Sequence, residues 1–139
     1  MAQPPIRVLL AKLGLDTHTV GVTVIAHALR DAGMEVIFTG LKQTPEMVAN
    51  TAIQEDVDVV GVSSLSAGHM RNIPLLAELL RAKGGADKLL IVGGVIPEED
   101  QAVLREAGVA RIFTMGTDTR EIVAWLNEWR AARDVAGAS

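Results

Sequence analysis

The chain has no cysteine, no tyrosine and only two tryptophans and two phenylalanines among its 139 residues. The lack of cysteine excludes disulfide bonds, thiolate metal sites and cysteine nucleophiles. Aromatic side chains are scarce, yet hydrophobic residues make up 49% of the chain. We therefore expect an aliphatic core of Val, Ile, Leu and Ala, in a chain long enough to bury it.

Long apolar runs and clusters of one charge are also missing. No apolar stretch approaches the ~20 residues that a membrane-spanning helix requires, and the opening MAQPPIRVLL lacks the charged-then-apolar order of a signal peptide. The net charge is −4 and the basic residues are scattered, whereas a nucleic-acid surface needs a clustered basic footprint. The sequence therefore predicts a cytoplasmic protein with neither a membrane nor a nucleic acid as its partner.

Short apolar runs alternate regularly with segments of helical spacing. The runs predict five strands, at Ile6–Ala11, Glu35–Phe38, Val57–Val62, Leu89–Val92 and Ala110–Phe113. Five predicted helices follow them, at Val20–Ala32, Pro45–Glu55 behind a Thr44 cap, Gly68–Lys83, Pro97–Ala107 and Thr117–Arg133. Five β-α units in series predict one flavodoxin-like (Rossmann-like) α/β domain over residues 1–139. Its sheet is expected to be parallel, in the order 2-1-3-4-5, with helices on both faces and a frayed tail at about 134–139.

Residues that could do chemistry fall where this fold binds ligands, beyond the carboxyl ends of the strands. They follow four different strands: Asp16 and His18 follow the first, Ser63, Ser64 and Leu65 the third, Gly93 and Gly94 the fourth, and Gly116 and Thr117 the fifth. The fold by itself assigns no function. A signal that recurs on four loops of one edge nevertheless predicts a binding site there.

Three short motifs make the sequence resemble a known family. Asp16-Thr17-His18-Thr19-Val20-Gly21 fits D-x-H-x-x-G, Ser63-Ser64-Leu65 fits S-x-L, and Gly93-Gly94 supplies G-G, in that order. From about Ile6 to Trp129 the chain resembles the cobalamin-binding domains that hold vitamin B12 in the base-off, His-on state. It is most similar to the carboxyl-terminal domain of methylmalonyl-CoA mutase and to the free-standing small subunits of related acyl-CoA mutases.

This resemblance implies a role for each residue around the histidine. His18 is expected to be the lower axial ligand of the cobalt in adenosylcobalamin, replacing the cofactor's own dimethylbenzimidazole. Asp16, two residues earlier, is placed to accept the other ring N–H, which fixes the tautomer and makes the imidazole a better donor. Lys12 is expected to keep Asp16 ionised and oriented.

The displaced nucleotide tail of the cofactor needs a deep apolar slot with close approach to the backbone. Gly93 and Gly94 have no side chains that would block such a slot. Leu65 can form its wall, and Ser63 or Ser64 can offer a hydroxyl group. The G-G and S-x-L motifs therefore predict where the tail is held.

Gly116 and Thr117 precede a helix and suit the phosphate or ribose of the tail through backbone N–H groups. Gly21 closes the first motif. The variable positions of that motif depart from the usual mutase loop D-G-H-D-R-G, because they are occupied by Thr17, Thr19 and Val20. These departures concern positions that bear on the choice of substrate and on contacts with a partner. The motif residues themselves are unchanged.

The chain has no residues for the substrate-binding barrel that an adenosylcobalamin mutase also needs. We therefore expect a small subunit that carries the cofactor to a separate large subunit in a hetero-oligomer. Together they would isomerise an acyl-CoA that the large subunit binds. A corrinoid carrier serving a methyltransferase is the alternative. A receiver-type signalling domain is disfavoured, because no paired acidic residues follow the first strand and Thr114-Met115, not lysine, follows the fifth.

Two further pairs of residues are expected to have ordinary structural roles. Trp125 and Trp129, four residues apart on the last helix, are expected in the core or at a partner interface and not against the cofactor. Asp56 and Asp58 flank Val57 and are expected to be solvated.

Overall fold

The computed structural model describes residues 4–12, 20–39, 43–64, 69–94, 96–114 and 116–138. The strands are β1 (Arg7–Lys12), β2 (Glu35–Phe38), β3 (Val59–Ser64), β4 (Leu89–Gly94) and β5 (Arg111–Thr114). The helices are α1 (Val20–Asp31), α2 (Pro45–Gln54), α3 (His69–Ala82), α4 (Glu98–Ala107) and α5 (Thr119–Ala138). All strand pairs are parallel, in the order β2-β1-β3-β4-β5. The predicted fold class and strand order are confirmed. Within the described ranges, no helix is both long and apolar enough to cross a membrane.

The helix ends follow local signals that are visible in the sequence. Thr44 caps α2, because its hydroxyl oxygen accepts a hydrogen bond from the Met47 backbone N–H at 3.1 Å, and Pro45 starts the first turn. Gly33 after α1 and Gly108 after α4 have φ values of 89° and 124°. Residues other than glycine rarely adopt such angles, so both helices stop there.

The sheet has a hydrophobic core on each face, because alternate residues of a strand point to opposite sides. One face, which we call the α1/α5 face, is covered by α1 and α5; its core includes Val8, Leu10, Val22, Leu29, Ile91, Phe113, Ile122 and Leu126. The other face is covered by α2, α3 and α4; its core includes Leu9, Val48, Val60, Val62, Ile73, Leu76, Val92 and Leu104. The expected aliphatic core is therefore present on both sides of the sheet.

Four strands extend beyond their predicted carboxyl ends. The structure carries β1 to Lys12, β3 to Ser64, β4 to Gly94 and β5 to Thr114. The hydrophobic runs end earlier, but a parallel ladder is made of backbone groups and continues through polar residues and glycines while a neighbouring strand lies alongside. The residues of the S-x-L and G-G motifs that the sequence places in loops, Ser63, Ser64, Gly93 and Gly94, are instead the last residues of β3 and β4.

Helix α5 continues to Ala138, past its predicted end at Arg133. One of the Asp134 carboxylate oxygens lies 3.3 Å from Arg130 Nε, one helical turn earlier, and such pairs support a helix. The expected frayed tail is thus helical as far as the structure describes it, and fraying in solution stays a prediction. Trp125 and Trp129 lie half-buried against the α1/α5-face core, which confirms the expectation of core packing.

Charged groups crowd the amino edge of the sheet. Asp58, immediately before β3, accepts a hydrogen bond from the Arg7 backbone N–H at 3.0 Å. Its carboxylate oxygens lie 3.4 Å from Arg133 Nη1 and 3.9 Å from Arg130 Nη1. The prediction that Asp58 is solvated is wrong, because α5 brings two guanidinium groups to it. Asp56 is exposed as expected.

Candidate functional site

The carboxyl edge of the sheet carries a row of four residues on the α1/α5 face, which we call the edge row. Lys12 of β1 is in register with Ser63 of β3, Ser63 with Gly93 of β4, and Gly93 with Phe113 of β5. The row therefore runs from a long basic side chain, across two small residues, to an aromatic ring. Strand pairing brings together residues that are far apart in the sequence.

The middle of the edge row leaves room between the sheet and the helices. Among the described residues, a Cβ atom on Gly93 would meet only the Phe113 carbonyl oxygen, at an ordinary contact distance of 3.6 Å. One row deeper on the same face, a Cβ atom on Gly61 would lie 2.8 Å from Leu10 Cδ2, which is an overlap. The core therefore explains the glycine at 61 but not the glycine at 93.

Lys12 closes one end of the edge row and is only 1% exposed. An ammonium group is costly to bury unless an opposite charge lies close to it. The position of Lys12 at the end of β1 therefore calls for a carboxylate nearby, and Asp16 follows soon after in the sequence. Asp16, His18 and Leu65 lie outside the described residues, and their predicted roles stay predictions.

Two glycines at this edge have backbone conformations that favour glycine. The φ angle is 127° at Gly94 and 92° at Gly116. Thr117 donates both its backbone N–H, at 3.1 Å, and its hydroxyl, at 2.7 Å, to the Thr114 carbonyl oxygen. The Thr117 N–H, which the sequence predicts as a donor to the nucleotide tail, is therefore already hydrogen-bonded within this turn. The Thr117 hydroxyl oxygen still has lone pairs that can accept a hydrogen bond.

The beginning of α5, beside this turn, carries an ion pair. Asp118 Oδ1 accepts a hydrogen bond from the Arg120 backbone N–H at 2.9 Å, and the Arg120 guanidinium donates to Asp118 Oδ2 at 2.7 Å. The side-chain and backbone hydrogen bonds from Arg120 lower the pKa of Asp118 to about 2. The carboxylate is therefore ionised at neutral pH and paired with a guanidinium group.

Sequence reasoning missed Gln43, a polar residue that the fold buries beside Lys12 with only 9% exposure. The Gln43 backbone N–H donates to the Lys12 carbonyl oxygen at 3.0 Å, and its side-chain Nε2 donates to the Thr39 carbonyl oxygen at 3.2 Å. The only signal in the sequence is its position just before the Thr44 cap. Its burial follows from the tertiary structure.

The sequence of the chain has counterparts among known proteins. Residues 6–124 match the family model described as the B12 binding domain. The chain belongs to the B12-binding domain family. The resemblance that the three motifs predict is therefore confirmed, and the receiver-domain alternative is wrong.

Three relatives place this B12-binding domain among CoA mutases. It is 52% identical to the 2-hydroxyisobutanoyl-CoA mutase small subunit of Aquincola tertiaricarbonis, over 96% of this chain and 98% of that protein. It is 48% identical to the pivalyl-CoA mutase small subunit of Xanthobacter autotrophicus, over 86% of this chain and 80% of that protein. A methylmalonyl-CoA mutase of Rhizobium meliloti is 49% identical over 80% of this chain, which corresponds to 16% of that enzyme.

A solved structure shows the same fold. A cobalamin-binding protein from Desulfitobacterium hafniense superposes with a TM-score of 0.77 at 21% sequence identity, over 90% of this chain and 59% of that chain. At this level of identity the likeness supports the architecture of the B12-binding domain and not the details of its site.

Proposed function

We propose that this B12-binding domain is the cobalamin-carrying small subunit of an acyl-CoA mutase, an isomerase that works with a separate large subunit. The observation that carries the proposal is the match to one small subunit over 98% of its length. The match to 16% of a methylmalonyl-CoA mutase fits a cofactor domain held within a longer enzyme. The proposed cofactor is adenosylcobalamin, and the proposed assembly is a hetero-oligomer whose large subunit binds the acyl-CoA.

When bound, adenosylcobalamin supplies a radical by homolysis of its cobalt–carbon bond, and the protein orients the reactants around it. In this proposal one ring nitrogen of His18 would bind the cobalt, and Asp16 would accept the second ring N–H of His18. Lys12 holds Asp16 ionised, since a buried ammonium group favours the carboxylate form of a close neighbour. An ionised Asp16 fixes the His18 tautomer, so that one ring nitrogen faces the metal.

The nucleotide tail is proposed to occupy the room above Gly93, with Ser63 beside it and Lys12 and Phe113 at the two ends of the edge row. Thr117 is better suited to a ribose hydroxyl than to the phosphate, because its N–H is engaged in its own turn while its hydroxyl oxygen can still accept a hydrogen bond. The remaining proposed contacts of the cofactor are Gly21, Ser64, Leu65, Gly94 and Gly116.

The acyl group of the substrate is assigned to the large subunit. Small subunits named for two different CoA esters are 52% and 48% identical to this chain, and the proposal gives the choice between such esters to the large subunit. A corrinoid carrier of a methyltransferase would hold the same cofactor, but the near full-length match to a mutase small subunit favours the mutase. The cytoplasmic location stays a prediction.

The test of cofactor binding is a titration of the purified chain with cobalamin, followed by visible absorption. The wild-type spectrum is expected to change to that of the base-off cofactor with a nitrogen ligand, and His18→Ala should abolish that change. His27→Ala is the matched control, because His27 is exposed on α1, and it should behave as wild type. A wild-type chain that leaves the spectrum unchanged contradicts the proposal.

The test of the reaction combines the loaded chain with a mutase large subunit. Isomerisation of an acyl-CoA that needs both chains supports the small-subunit role. Methyl transfer from a methyl donor in the absence of any mutase subunit would instead establish the corrinoid-carrier alternative.

A further inference from the structure

In the described part of the chain, the polar or charged residues that are buried as whole residues are Lys12 and Gln43. Both lie at the carboxyl edge of β1, and the Gln43 backbone N–H donates to the Lys12 carbonyl oxygen at 3.0 Å. A buried amide is retained only where its hydrogen bonds are made. The position of Gln43 therefore points to a role at the end of β1, where the segment that carries Asp16 and His18 begins.

The residues after β2 continue the pairing with β1. Beyond the last rung between Leu10 and Phe38, the Thr39 backbone N–H donates to the Leu10 carbonyl oxygen at 3.1 Å. Gln43 makes the next contact, to Lys12. Its side-chain Nε2 donates to the Thr39 carbonyl oxygen at 3.2 Å and so links the two contacts.

The last residue of β1 is therefore held on both sides. Lys12 is in register with Ser63 of β3 on one side and bonded to Gln43 on the other. The chain leaves this point toward Asp16 and His18. Metal–ligand distances in proteins hold to within about 0.2 Å, so a shift of the end of β1 would be carried into the position of the ligand.

We infer that Gln43 is a positioning residue: its side-chain amide ties it to Thr39, and the backbone N–H groups of these two residues hold the end of β1, which sets where the His18 segment starts. The inference rests on the proposed function, because it needs His18 as the cobalt ligand. Gln43 itself is not proposed to touch the cofactor.

The experiment compares two near-isosteric variants, Gln43→Met and Gln101→Met. Gln101 is the control, since its Nε2 also donates to a backbone carbonyl oxygen, that of Ile96, at 3.2 Å, from a half-buried position in α4. Circular dichroism and thermal unfolding first establish that both variants fold. Electron paramagnetic resonance of bound cob(II)alamin then reports the axial ligand, because a coordinated nitrogen splits each cobalt line into a triplet.

We expect Gln43→Met to bind cobalamin about tenfold more weakly, the lower end of the range for groups that orient metal ligands, and to lose much of the nitrogen triplet. Gln101→Met should keep both the wild-type affinity and the triplet. If Gln43→Met does not fold, Gln43→Asn makes the same comparison, because it keeps an amide that is too short to reach Thr39.

Gln43→Met with the full triplet and wild-type affinity would overturn the positioning role alone. Equal losses in Gln43→Met and Gln101→Met would overturn it as well, since the effect would then be general to this edge. A wild-type chain that shows no triplet would overturn the proposed ligation by His18 and this inference with it.

Discussion

The two edges of the sheet are built from opposite chemistry. At the amino edge, Asp58 and the guanidinium groups of Arg7, Arg130 and Arg133 meet with neighbouring carboxylates, and ion-pair distances run from 2.8 to 3.9 Å. At the carboxyl edge, two small neutral residues, Ser63 and Gly93, lie between the ends of the edge row. The first edge contains partners for its own charges, whereas the second keeps space that no described side chain fills.

From this contrast we expect stability and the proposed cobalamin binding to depend on opposite ends of the same strands. Substitutions at the amino edge should lower the free energy of unfolding without changing cobalamin affinity. Substitutions in the edge row should do the reverse. The four predictions below test that separation, beginning with the largest expected effect.

Filling the room above Gly93 should weaken cobalamin binding most. Gly93 is not among the glycines with positive φ, so Gly93→Leu should fold without backbone strain while its side chain occupies the slot. We expect the dissociation constant for cobalamin to rise roughly 100-fold, equivalent to about 2.7 kcal/mol, with a thermal midpoint close to that of the wild type. Isothermal titration and calorimetric unfolding measure the two quantities. Unchanged affinity would show that the tail does not lie there.

Removing the central carboxylate of the amino edge should have the opposite outcome. Asp58→Ala leaves the Arg7 backbone N–H and the Arg133 guanidinium without this acceptor. It also removes the carboxylate that lies 3.9 Å from Nη1 of Arg130, whose side chain is only 12% exposed. We expect the free energy of unfolding to fall by about 2 kcal/mol, with cobalamin affinity unchanged. Urea denaturation checks the first and absorption titration the second. Glu128→Ala is the control, because Glu128 is exposed on α5 and its loss should matter little.

The two glycines of the α1/α5 face should respond differently to the same added methyl group. Gly61→Ala places a Cβ atom 2.8 Å from Leu10 Cδ2 and should destabilise the fold by about 1–2 kcal/mol through overpacking. Gly93→Ala meets only an ordinary contact at 3.6 Å and should leave the unfolding midpoint unchanged in the absence of cobalamin. Equal losses of stability in the two variants would contradict the difference in free space between the two rows.

The smallest effect is expected at the start of α5, as a dependence on pH. The pKa of Asp118 is lowered from 3.8 to about 2 by its hydrogen bonds with Arg120, so the folded state favours the ionised carboxylate. The stabilisation is present above about pH 3.8 and is lost as the pH falls through about 2. Wild type and Asp118→Asn should therefore converge in thermal midpoint as the pH falls through this window. Because both side chains are exposed, added salt should shrink the difference. A constant difference across the window would contradict the assignment to ionisation.

Local sequence patterns predict the helices and strands well. They predict the carboxyl ends of the strands and the contacts between distant segments poorly. The Thr44 cap and the glycines after α1 and α4 gave helix ends that agree closely with the structure, because these signals act within a few residues. The predicted carboxyl ends of β1, β3 and β4 come too early in the chain, because each hydrophobic run ends before the hydrogen-bonded backbone ladder does. The expectation that Asp58 is solvated fails because its partners on α5, Arg130 and Arg133, lie far away in the sequence.

By itself the sequence determined the strand order, the family and the motif residues, since these depend on local patterns and on three short motifs in a single order. Only the tertiary structure decided that, among the described residues, a Cβ atom fits at Gly93 but overlaps Leu10 at Gly61. It also decided that Gln43 lies buried against the end of β1. Both depend on which side chains parallel pairing brings side by side, and a one-dimensional pattern does not contain those distances.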